Sequence, residues 1–134
     1  MSDRGREEFA RTQVSYNIIL LNGIEDCRKS RVAGDLARYS EAVMALFDTL
    51  TPSIKKDVEP QYEQIQSDID ADVKKVREEL QKLTNPLDQA GYYQARIAAI
   101  ERENADKLYK TIIKVLEDHK VLQVVSWIPT GMGT

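Results

Sequence analysis

Apolar side chains at Tyr62, Ile65, Ile69, Val73, Val76, Leu80 and Leu83 recur at gaps of 3, 4, 4, 3, 4 and 3 residues. A β-strand cannot place them on one face, because its side chains alternate at every second residue. An α-helix can. The average step of 3.5 is the spacing of a helix that supercoils against a neighbour. Ile54 and Val58 carry the same face backwards in steps of 4. Thr51 is placed to cap and Pro52 to occupy the first helical position, so a helix is predicted over 52–84. Pro60, which has no amide hydrogen to donate, marks either a kink or a second start.

Thr84, Asn85 and Pro86 close this helix and open another. Asn85 can cap, Pro86 suits the first turn, and Asp88 favours the positive end of the helix dipole. A link this short makes its two helices antiparallel neighbours. The new helix is followed through Tyr93, Ile97, Ile100, Asn104, Leu108, Ile112, Val115, His119 and Leu122, at about 3.6 residues per step. Asn104 and His119 interrupt an otherwise apolar stripe.

The first fifty residues carry a broader pattern. At about 100° per residue, Phe9, Tyr16, Leu20, Ile24 and Cys27 share one side, and Val14, Ile18 and Leu21 lie beside them. The apolar arc is roughly 200° wide, so this helix should be covered by two neighbours. Gly34 and Asp35 then offer a break with a new cap, before Leu36, Tyr39, Val43, Phe47 and Leu50. The pattern leaves open whether the chain kinks or reverses there. The whole reads as one all-α domain over residues 1–134, an antiparallel bundle of three or four long amphipathic helices with coiled-coil-like packing. Helices are expected at 6–32, 35–50, 52–84 and 86–123. Beyond them, an apolar then flexible tail over about 124–134 need not be helical.

Composition narrows the function. With 42% hydrophobic and 31% charged residues, a chain of 134 residues can bury a core. The formal net charge of −3 is spread evenly. Residues 1–50 hold 7 basic and 8 acidic side chains, 51–84 hold 6 and 8, and 85–134 hold 6 and 6. No polycationic segment exists to track phosphates, which disfavours nucleic acid as a partner. The longest aliphatic run is Ile18 to Leu21, too short to span a bilayer, and MSDRGREEF lacks the apolar core of a signal peptide. With a single cysteine, Cys27, no intramolecular disulfide can form, and a cytoplasmic location is expected.

No constellation of side chains in the sequence forms a recognisable active site. Asp68, Asp70 and Asp72 imitate the start of a calcium loop, but Val73 follows where the loop needs other residues. On a helix, side chains two apart diverge, so a solvated charged face is expected and no metal site. His119 is the only histidine and reads as a partly buried residue of the bundle seam. Cys27 has Arg28 and Lys29 nearby but no base, so it reads as a small core residue. Tyr92, Tyr93 and Tyr109 read as packing side chains with wet hydroxyls. The six glycines form no phosphate-binding fingerprint, and no cofactor is implied.

Two surfaces remain. Arg28, Lys29, Arg31 and Arg38 form the only basic cluster and are the candidate anion contact. The apolar tail, Val121, Leu122, Val124, Val125, Trp127 and Ile128, either folds back to seal one bundle end or docks on another protein. In the second case Val124, Val125, Trp127 and Ile128 are the candidate partner contact, because tryptophan is a favoured interface anchor. The expected function is a non-enzymatic helical interaction or assembly module, joined to another protein or to itself. The alternative is a small nucleic-acid-associated regulator using the cluster at 28–38.

Overall fold

A computed structural model of the protein describes residues 3–121. Four helices follow one another: α1 (Asp3–Ala33), α2 (Leu36–Thr49), α3 (Pro52–Lys82) and α4 (Pro86–Asp118). No strand occurs among the described residues. They pack as two antiparallel pairs, α1 with α2 and α3 with α4, and the pairs are joined chiefly where α2 meets α4.

The break at Gly34 is a reversal. Gly34 takes φ +74°, a left-handed conformation without penalty only for glycine. Its amide donates to Arg31 O at 3.3 Å, and the Asp35 amide donates to Ser30 O at 3.2 Å. These two bonds form a Schellman stop, which satisfies the last carbonyls of α1. Asp35 then caps α2, its carboxylate accepting from the Arg38 amide at 3.2 Å. Replacing Gly34 with alanine should lower thermal stability by about 1 kcal/mol, because a Cβ is strained at this φ although nothing crowds it. An unchanged melting temperature would mean that the turn relaxes freely. Gly23 serves differently: a Cβ there would sit 3.1 Å from Leu46 Cδ1, so it sets how closely α1 and α2 approach.

The link between α3 and α4 matches its sequence signals. Asn85 accepts from the Leu87 amide at 2.8 Å with Pro86 opening the helix, while Gln89 Nε2 donates to Leu83 O at 2.7 Å. Helix α3 starts at Pro52 behind Thr51, whose side chain makes no capping bond, and runs through Pro60 without ending.

The core combines Leu20, Ile24 and Cys27 of α1 with Tyr39, Val43 and Leu46 of α2, Ile54, Val58 and Ile65 of α3, and a long face of α4. Helix α4 is buried on two rows. Ile100, Asn104, Leu108, Ile112 and Val115 follow the expected stripe, and Ala105, Tyr109, Ile113 and Leu116 form a second one beside it. The second row lets α4 contact α2 as well as α3. Phe47 of α2 stacks on Tyr62 of α3, with ring centroids 4.8 Å apart and planes within 11°.

Helix lengths do not match, and this shapes the molecule. Helix α1 has 31 residues and α2 only 14. At 1.5 Å per residue these span about 46 and 21 Å, so α2 covers only the second half of α1. The end of α2 is marked by the Thr51 amide, which donates to the Tyr16 hydroxyl at 3.1 Å. Before Tyr16, α1 continues as an arm. The outer half of the α3–α4 hairpin extends past Gly34 in the opposite direction, since Lys107 and Asp68 already lie near the level of the α1–α2 turn.

Candidate interaction surfaces

The outer face of α1 departs from the sequence expectation. Phe9, Val14 and Ile18 belong to the arc that two neighbours should cover, yet they are 64%, 57% and 52% exposed. Among the described residues only one of the two neighbours, α2, runs along α1. Leu20, Ile24 and Cys27 meet the core, whereas Val14 and Ile18 face away from it beside half-buried Leu21. The arc width was the signal; a pattern cannot show that α2 is too short to use all of it.

The basic cluster does not act as one. Arg28 and Lys29 both lie on Glu25, at 3.7 and 3.4 Å. Arg31 leaves them and reaches α4, where Nε donates to Asp106 Oδ1 at 3.0 Å and Nη2 to Oδ2 at 3.3 Å. The Tyr39 hydroxyl donates to the same carboxylate at 2.6 Å, and the guanidinium lies 5.8 Å from the centre of the Tyr39 ring. One carboxylate thus ties α1, α2 and α4 together. Arg38 is exposed on the first turn of α2. Three of the four candidate anion-binding cations therefore already face carboxylates.

Next to this clamp, the chemistry of Cys27 is that of a core residue. The side chain is fully buried, and burial, with a smaller push from Asp26, raises the thiol to about 12. Burial also raises Tyr109 to about 12 and drives Tyr39 upwards, helped by its bond to Asp106. A thiol held neutral in this way is a poor nucleophile. Iodoacetamide at pH 8 should label Cys27 only after denaturation, and rapid labelling of the native protein would contradict the packing. The sign of the pH dependence follows. All three groups lose their protons later in the folded chain than in the unfolded one. The stability they contribute is complete well below pH 9, the midpoint of the unfolded thiol, and falls as pH rises through 9 towards 12. Melting temperatures should decline across that window.

A groove of about 350 Å³ lies between α2 and α3 and is floored by α4, with Val43, Met44, Ile65, Ile69 and Leu108 among its walls. Asn104 lies at its base. Its Nδ2 donates back to Ile100 O at 2.7 Å, while Oδ1 has no partner and virtually no accessible surface. Asn104 thus leaves one buried acceptor without a hydrogen-bond partner at the base of the groove.

His119 lies just past the last turn of α4 with about a third of its side chain exposed, and its Nε2 lies 2.6 Å from Asp57 Oδ2 of α3, a hydrogen-bonded contact between the two helices. The helix had already ended: Lys120 takes φ 55°, and the Val121 amide returns to Leu116 O at 3.1 Å. Tyr93, also placed in the stripe, is 50% exposed.

Asp68, Asp70 and Asp72 all lie within α3, and Asp68 is engaged by Gln64 at 3.0 Å and Lys107 at 4.0 Å. Among the described residues no group of three or more His, Cys, Asp or Glu side chains is arranged around a metal position. No described helix is long and apolar enough to cross a membrane. Val124, Val125, Trp127 and Ile128 lie outside the described residues.

No curated protein and no solved structure matches the chain. A family model described as a domain of unknown function, DUF4164, matches residues 31–118, from the last turn of α1 to the end of α4, and the chain belongs to that family.

Proposed function

We propose that this protein is a non-enzymatic helical assembly module of a reducing, cytoplasmic setting, whose working surface is the outer face of α1. The observation that carries the reading is the exposure of Val14 and Ile18 on a helix whose apolar arc calls for two neighbours and meets one among the described residues. Exposed apolar side chains at helical spacing are covered at low cost by another helix. Val124, Val125, Trp127 and Ile128 remain a second candidate contact in this reading. The lone buried thiol fits the reducing setting. The ion pairs of Arg28, Lys29 and Arg31 favour a protein partner over nucleic acid, because cations already neutralised gain less from phosphates.

Molar mass in solution tests the proposal, measured for the full chain, for Ile18→Asp and for a chain ending at Val121. Loss of mass in Ile18→Asp with its melting temperature kept supports the α1 surface. Loss of mass only in the truncated chain moves the contact to the tail. A parent chain that stays monomeric at every accessible concentration overturns self-assembly.

A further inference from the structure

The outer face of α1 has a charge pattern that identifies its occupant. Val14, Ile18 and Leu21 are separated by steps of 4 and 3, and the same alternation continues to Arg11 and Glu7 on one side and to Glu25 and Arg28 on the other. This is an unbroken 3.5-residue seam with an apolar centre and charged ends, exposed at Val14 and Ile18 and running along the border of the buried Leu20–Ile24 side at half-buried Leu21. Glu25 and Arg28 are each 42% exposed along their side chains, so the charged end beyond Leu21 is open to a neighbour. Glu7 and Arg11 carry no ion pair among the described residues.

We infer that a second copy of this chain covers the face, with the two α1 helices antiparallel and centred on Ile18. This rests on the assembly reading above and adds the partner and its direction. About a centre at 18, Arg11 of one copy lies level with Glu25 of the other, and Glu7 lies level with Lys29 of the other, so each member of the Glu25–Lys29 pair within α1 gains a second, opposite charge. Each pair occurs twice by symmetry, so the face is complementary to itself. A parallel pair would instead set Arg11 against Arg11 and Glu25 against Glu25, which is unfavourable at close range.

The contact runs from residue 7 to 29, about 34 Å of helix at 1.5 Å per residue. One face over that length engages roughly a dozen side chains per copy, against the 20–30 of a standard interface. Such a dimer is weak and concentration-dependent, with the surrounding charges setting direction more than affinity.

A charge-swap series on the full chain, read by sedimentation equilibrium in low salt, tests this. The parent should associate reversibly. Arg11→Glu and Glu25→Arg should each weaken association about tenfold, by placing like charges level with one another, and the double variant should recover most of the loss. Circular dichroism should be the same for all four chains. If the parent dimerises but the double variant shows no recovery, the antiparallel register is wrong while assembly stands. If the parent stays monomeric up to the order of 1 mM, both readings fail.

Discussion

Replacing Asp106 with alanine should lower the stability of the bundle by about 2–4 kcal/mol, the range expected when a shared, partly buried acceptor is removed. The Arg31 guanidinium and the Tyr39 hydroxyl both end on this carboxylate, from α1 and α2, while Asp106 itself belongs to α4. Arg31 can turn back into water, because about a quarter of its side chain is exposed. Tyr39 cannot follow, since it is fully buried and its hydroxyl would lose the bond. The variant Tyr39→Phe separates these parts. It should cost about 1 kcal/mol, the usual net value of one hydrogen bond, because the ring stays in the core. Denaturant melts of both variants give the comparison. A loss in Asp106→Ala no larger than that in Tyr39→Phe would show that Arg31 adds nothing to the clamp.

An aspartate at position 76 should have a larger effect. Val76 is 3% exposed, on the part of α3 covered by α4. A carboxylate there is cut off from water, and burying one unpaired costs several kcal/mol unless the site opens. Opening is local here, because the outer halves of α3 and α4 extend past the α1–α2 turn and are held mainly by each other. Val76→Asp should therefore lose ellipticity and amide protection over the tip of the hairpin, with Ile112 and Leu116 retaining theirs. Full protection across residues 73–97 would show that position 76 is not sealed. Ile18→Asp is the contrast, expected to shift stability by no more than about 0.5 kcal/mol because its side chain is already half in water.

What the sequence could show divides by the range of the forces involved. The α3 seam, the Asn85–Pro86 start and the reversal-competent Gly34–Asp35 step depend on neighbours within a few residues, and the structure has helices and caps at those places. The expected 6–32, 35–50, 52–84 and 86–123 fall within a few residues of the observed bounds, except at the last end. There Lys120 takes a left-handed conformation that residue type alone does not announce.

What could not be read is the result of distant choices. Arg31 and Asp106 are 75 residues apart, and nothing in either neighbourhood pairs them. The second buried row of α4 exists because α2 arrives beside it, so Tyr109 is sealed although it lies off the main stripe. His119 fits the spacing of that stripe but follows the last turn of α4, and its contact with Asp57 joins two residues 62 positions apart. For the candidate sites, the residue types at 28–38 suggested a cationic patch, but only the fold could show which carboxylates stand opposite.

The division into two hairpins also sets an order of assembly in time. Most contacts join α1 to α2 or α3 to α4, segments adjacent along the chain, and the hairpins meet chiefly through α2 and α4. Local pairings close small loops and form early, whereas a long-range docking surface is completed late. Each hairpin is thus expected to behave as a unit, and the two are joined where Tyr39 of α2 meets Asp106 of α4. A chain emerging from synthesis would finish α1 and α2 well before α4 exists, leaving the apolar side of the first hairpin waiting for its cover. During that interval the unused faces of α1 and α2 are equally open to solvent, and only the arrival of α4 makes one of them interior and leaves the other as surface.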